Sequence, residues 1–170
     1  AGVMPEAALT DADRAIVQTV KDGIARMNEA MQTQQLHEAT AELIALLSAA
    51  NLYFADQAPW GLKADLPRMG TILATTADVV RRAAIAAQPF VPASAAKFLD
   101  LLAVPADRRL LAHALGDAGI PAGTTLPPPE PVFKKFELPT ATASDHDHRQ
   151  PLPSRFSGAG RRPCGRHRPR

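Results

Sequence analysis

The chain's only Trp and only Tyr lie in one stretch, NLYFADQAPWGLKADLP, residues 51–67. Trp60 directly follows Pro59, where a strong helical pattern stops. A large flat ring at a helix break has two readings. It is an interhelical plug, as Trp is usually largely buried, or it is a platform on which a flat partner stacks. Pro59 would fix the ring in either case. Lys63 lies three residues further on, within reach of a charge beside such a partner, and Arg68 is also near.

Other residues that could do chemistry are fewer. Asp145, His146, Asp147 and His148 alternate in SDHDHR, a pattern that could ligate a divalent metal. No partner ligand is readable elsewhere, so a solvated tail is the reading and no metal is assigned. His37 opens one predicted helix, and His113 ends another, where it suits the helix dipole. Neither has a nucleophile or carboxylate partner in the pattern, so no catalytic residue is assigned. Cys164 in RRPCGRHRPR has arginines on both sides, which in principle lowers a thiol pKa. The same arginines could grip phosphates. As the only cysteine, Cys164 rules out an internal disulfide and a cysteine-built zinc site. Arg81 and Arg82 read as a solvated helix face.

The elements that position these residues are helical. Ala and Leu dominate the first 115 residues, and strand-favouring runs are absent. Thr10 with Asp13 resembles a capping box, and Ile16, Val20, Ile24, Met27 and Met31 form one apolar stripe, predicting a helix over 11–32. Leu36, Ala39, Leu43, Leu46 or Leu47, Ala50 and Phe54 predict a second over 34–56, closed by Pro59. Asp65 and Pro67 open a third, with Met69, Ile72 or Leu73, Thr76, Val79 or Val80, Ala83 and Ala87 inward, ended by Pro89. A fourth covers 93–103, and a fifth lies within ADRRLLAHAL, stopping before Gly116. The expected fold is all-α, a bundle of about five helices within residues 1–115.

Beyond Gly116 the composition changes. Residues 116–138 are rich in Pro and Gly, and PPP at 127–129 favours an extended arm. Residues 139–170 have almost no aliphatic side chains and are expected to be a disordered Arg- and Pro-rich tail. Its composition also fits GC-rich DNA read out of frame. The net charge of +2 comes from this tail. Residues 1–138 carry 12 Lys and Arg against 15 Asp and Glu, a balance of −3. The bundle therefore has no broad basic field for sequence-independent nucleic-acid binding, and any RNA contact must be local. No apolar run reaches the roughly 20 residues that span a bilayer, and no secretory signal is visible. A cytoplasmic location without membrane contact is expected.

ANLYFADQAPW, QPFVPASAAKFLDLL and AGTTLPPPEPVFKKFE, in this order and spacing, resemble the C-terminal anticodon-binding domain of bacterial methionyl-tRNA synthetases. The resemblance covers about residues 10–138. It implies a helical bundle of the class Ia synthetase type that reads the CAU anticodon of methionine tRNA. It also implies that a tryptophan at the place of Trp60 stacks on an anticodon base. Two features depart from what the family shows. Gly61 stands where the family commonly has Ala. The Asn and Arg that the family carries on a preceding helix have no counterpart, so the bundle is expected to lack its first helix. The HIGH-type and KMSKS-type motifs of the catalytic half are also absent from these residues. ATP and Mg would belong to that half, so no cofactor is expected in this chain.

Two functions follow. In the first, the chain is the anticodon-recognition part of a methionine-tRNA ligase. Its partners are the methionine tRNA anticodon loop and the enzyme's catalytic domain, against which the 116–138 arm packs. In the second, it is a helical protein-interaction module, or a truncated relic without RNA binding. A missing first helix would bare apolar surface on the first two helices and favour self-association.

Overall fold

A computed structural model describes residues 2–133, which lie within one compact unit, Ala1–Lys134. Along the described residues a short strand β1 (Gly2–Val3) precedes α1 (Asp11–Gln32), α2 (Leu36–Gln57), α3 (Leu66–Ala87), α4 (Pro92–Leu101) and α5 (Leu111–Leu115). Strand β2 (Thr125–Leu126) follows. The three long helices have 22 residues each, about 33 Å at 1.5 Å per residue. Their sharp ends are chemical. Gln34, Ala58 and Ala103 take left-handed backbone conformations just past α1, α2 and α4. The Asp65 carboxylate accepts from the Arg68 backbone N–H at 3.0 Å to cap α3. Pro67 and Pro92 sit in first turns, where no N–H is missed.

The core is the seam between α1, α2 and α3. Ile16, Val20, Ile24 and Met27 are buried against Ala39, Leu43 and Leu46 and against Ile72 and Val79. Gly23 faces α2 closely, its position for a Cβ lying 3.3 Å from the Leu46 Cβ. In the α1 stripe Ile16, Val20, Ile24 and Met27 are buried and Met31 is half-buried. The large apolar side chains exposed on the first two helices are all on α2: Leu36, Ile44, Leu47 and Leu52. The expectation of bare apolar surface on both helices is thus corrected for α1.

The fifth predicted helix is interrupted. Ala106–Arg108 form a 3-10 turn, and α5 starts only at Leu111. The Arg109 side chain explains the break. Its guanidinium donates to the Val104 carbonyl and pairs with Asp100 at 2.7 Å, tying the chain back to α4. Residues 116–126 return across the bundle. Gly2 pairs with Leu126 and Val3 with Thr125, antiparallel. Gly123, at φ +81°, donates to the Met4 carbonyl at 2.9 Å, and Met4 is buried beneath this clasp. The tail residues Asp145 to His148 and Cys164, and the extended stretch beyond Phe133, lie outside the described residues.

Arg81 and Arg82 are not on a solvated face. They are 4% and 1% exposed. Asp78 accepts from Arg81 Nε at 2.8 Å and from Arg82 Nε at 2.7 Å. The outer guanidinium nitrogens donate to carbonyls where α5 ends: His113 and Ala118 for Arg81, Ala114 and Gly116 for Arg82. These two arginines weld α5 and the return segment to α3. Removing the one carboxylate should therefore be severe. Asp78→Ala is expected to lose about 3–5 kcal/mol of stability, because two buried cations lose their counter-charge. Urea denaturation reads this as a lower midpoint. Arg14→Ala, which removes only an exposed pair with Asp11, should leave the midpoint in place.

Candidate nucleic-acid interface

Residues 58–65 form the turn between α2 and α3. Ala58 closes α2 by donating to the Phe54 carbonyl at 3.2 Å, and Pro59–Gly61 make a 3-10 turn. Leu62 donates to the Pro59 carbonyl at 3.1 Å, and Asp65 to that of Leu62 at 3.0 Å. Gly61 also donates to the Ala58 carbonyl at 2.9 Å, so backbone hydrogen bonds tie the turn at several points. Pro59 is buried, whereas Trp60 is 61% exposed. The interhelical-plug reading of Trp60 therefore does not describe its position. Phe54 meets the Trp60 ring edge-on, centroids 5.8 Å apart and planes at 66°. Such a pair contributes about 0.5–1.5 kcal/mol beyond area. It braces one side of the indole and leaves most of the ring open. Lys63 shares the turn and is exposed. Among the described residues it has no ion pair.

The two helix ends flanking the turn are held by a junction that the sequence reading missed. Asp13, in the first turn of α1, is fully buried. Arg68 from α3 donates to both of its oxygens, at 2.5 and 3.0 Å. The Tyr53 hydroxyl from α2 donates to Asp13 Oδ1. Thr10 adds its backbone N–H and hydroxyl, at 2.8 and 2.9 Å. Arg68 also donates to Gln57 Oε1 at 2.5 Å, closing the link to the end of α2. Arg68 thus faces the protein and is committed to Asp13 and Gln57. The sequence signal was present: Asp13 stands three residues before Ile16, in register with the buried stripe.

Electrostatics follows from this geometry. Burial alone would raise the Asp13 pKa, but donors from Arg68, Tyr53 and Thr10 outweigh it and hold the carboxyl well below its usual range. Burial and the Asp13 charge push the Tyr53 phenol up to about 12.

The comparisons agree with this architecture. A family model, the anticodon binding domain of methionyl tRNA ligase, matches residues 3–160. The chain belongs to this family. The methionine–tRNA ligase of Mesorhizobium japonicum is 48% identical over 145 residues, which are 84% of this chain and 28% of that protein. The Rhizobium meliloti enzyme is 49% identical over 135 residues, 78% of this chain and 26% of that one. The crystal structure of the apo Mycobacterium tuberculosis methionyl-tRNA synthetase superposes with TM-score 0.74 at 36% identity. That match covers 81% of this chain and 29% of that one. The chain thus spans about a quarter of the length of the curated relatives it matches. Among the described residues no helix is long and apolar enough to cross a membrane, and no cluster of three metal-ligating side chains occurs.

The junction sets a pH window. Asp13, depressed when folded, contributes stability that is present above about pH 4 and lost as pH falls through its folded value. Tyr53, raised when folded, contributes stability that is present below about pH 10 and lost as pH rises through its folded value. Ultraviolet titration of the single Tyr should give a midpoint of about 12. Asp13→Asn should lower stability at neutral pH and flatten the acid limb of the stability profile. In the turn, Gly61 has an ordinary φ, and an added Cβ would meet nothing within 4 Å. Gly61→Ala should raise stability by about 0.4–1 kcal/mol through the unfolded chain, read as a higher Tm.

Proposed function

We propose that this chain is the anticodon-reading part of a methionine-tRNA ligase. The observation that carries this reading is the exposed indole of Trp60, set on a buried Pro59 in a domain of this family. One face of a splayed anticodon base stacks on that ring, for about 1–3 kcal/mol. Pro59 and the hydrogen-bonded turn hold the indole before RNA arrives, so little ordering entropy is lost on binding. Lys63 contacts a neighbouring phosphate, the local cation that a mildly acidic bundle needs.

The whole enzyme would join methionine to its tRNA using ATP and Mg in a catalytic portion, in the cytoplasm. Residues 116–126 pack on the bundle itself, so only the terminal stretch around Val132 to Glu137 would fold back toward that portion. The anticodon part has no role in the bond-making itself. It selects the tRNA and sets where its acceptor end lies.

A second reading has its own observation. Ile44, Leu47 and Leu52 leave apolar surface exposed on α2, and such surface favours a protein partner or self-association. One titration separates the two readings, because Trp60 is the chain's single tryptophan. An RNA stem-loop presenting CAU should quench its fluorescence, and a scrambled loop should not. Trp60→Ala should weaken binding by about ten- to a hundredfold, the equivalent of one lost stack. Lys63→Ala should cost less and reduce the salt dependence by about one phosphate contact. Equal affinity for both loops would refute anticodon reading and leave the α2 surface as the functional face.

A further inference from the structure

The far end of α3 borders a cavity, distinct from the Trp60 turn. Arg81 lies 13 residues beyond Arg68, about 20 Å along the helix axis. There Arg81 of α3, the α4–α5 connection, α5 and the 116–124 return line a partly open cavity of about 530 Å³. That volume falls within the range of small-molecule pockets, about 300–1,000 Å³. Val104, Ala112 and Ile120 supply apolar walls, and Arg81, Arg108 and His113 supply the polar ones.

Charge decides what would fit. Asp78 is one carboxylate shared by two buried guanidinium groups. The four carbonyls around Arg81 and Arg82 satisfy hydrogen bonds but carry no net charge. This leaves one positive charge in excess beside the cavity. The one acid in the lining, Asp117, is already paired with Lys21 at 2.5 Å. Arg108, also in the lining, is exposed and has no ion pair among the described residues. His113 Nδ1 is buried and has no hydrogen-bond partner among them. Asp107, the acid next to Arg108, is not part of the lining.

We propose that this cavity binds a small, largely apolar molecule carrying a single carboxylate. The apolar body fills the space between Val104, Ala112 and Ile120. The carboxylate lies toward Arg108 and Arg81 and offsets one of the positive charges there. His113 Nδ1 offers a further polar contact. A phosphate dianion or a sugar suits the site less well, because most of the wall is apolar.

The probe is 4-(trifluoromethyl)benzoate, followed by fluorine NMR on the full chain, with neutral 4-(trifluoromethyl)benzyl alcohol as its match. The benzoate should bind saturably, with a Kd in roughly the sub-millimolar range. It should bind about tenfold more tightly than the alcohol. It should shift the methyl resonances of Val104, Ala112 and Ile120. Arg108→Ala, at an exposed position outside the core, should reduce the acid's advantage, Arg81 remaining, and leave the alcohol and the Tm unchanged; an unreduced advantage would overturn the role given to Arg108. Ala112→Phe should exclude both probes. Equal binding of acid and alcohol would overturn the charge argument. Absent saturation, or shifts confined to other residues, would overturn the site itself. Neither outcome depends on RNA, so the anticodon reading stands or falls separately.

Discussion

A carboxylate removed from water must be satisfied completely, and Asp13 is the point on which this structure turns. Its two oxygens accept from Arg68, Tyr53 and Thr10, which come from α3, α2 and the segment before α1. An unpaired buried carboxylate would be expensive, so the three helix ends cannot drift independently. Apolar packing brings the long helices together but specifies their ends poorly, since a stripe tolerates sliding. The junction supplies the missing register at the end of the bundle where the α2–α3 turn emerges. The exposed ring of Trp60 is positioned by that fixed frame.

Helix α3 carries the same device at its other end. Arg68 reaches forward to Asp13, and fourteen residues later Arg82 reaches, with Arg81, to Asp78 and to the carbonyls closing α5. A helix with arginine anchors near both ends acts as a spine. It orients the turn at one end and the 116–126 return at the other. That return meets the N-terminal strand through the Gly2–Leu126 and Val3–Thr125 pairs. The segments entering and leaving the bundle are therefore joined to each other and to the same helix. On the proposed anticodon reading this stiffness would matter, because a displacement at Trp60 is useful only if it is not absorbed within the bundle.

Much of this was legible in the residues. The α1 stripe from Ile16 to Met31, the prolines bounding α3 and α4, and the aromatic cluster around Trp60 each correspond to a local rule. Their structural counterparts lie within one or two residues of expectation. Polar residues on inward registers were harder to read. Asp13 looked like a cap and nothing more, because capping explains an acid in a first turn without any long-range partner. Arg82 falls in the buried series Ile72, Thr75, Val79, Arg82 and Ala86, yet its charge suggests solvent unless α5's carbonyls are known to be near. The break before α5 was hidden for a similar reason. Arg109 looks like a good helix former, and its tie to Asp100 and Val104 is tertiary. Pairings across the chain, such as β1 with β2 in two-residue strands, leave no periodic signal at all.

The central claim is that the Asp13 junction, rather than the turn alone, holds Trp60 in place. Time-resolved fluorescence anisotropy of the single tryptophan tests it directly, comparing the native chain with Arg68→Gln under conditions where circular dichroism shows both folded. The account predicts that the native indole tumbles only with the whole domain, and that the variant gains a nanosecond local motion of large amplitude. Identical anisotropy decays in two equally folded proteins would show that residues 58–65 hold the ring unaided, and would contradict the account.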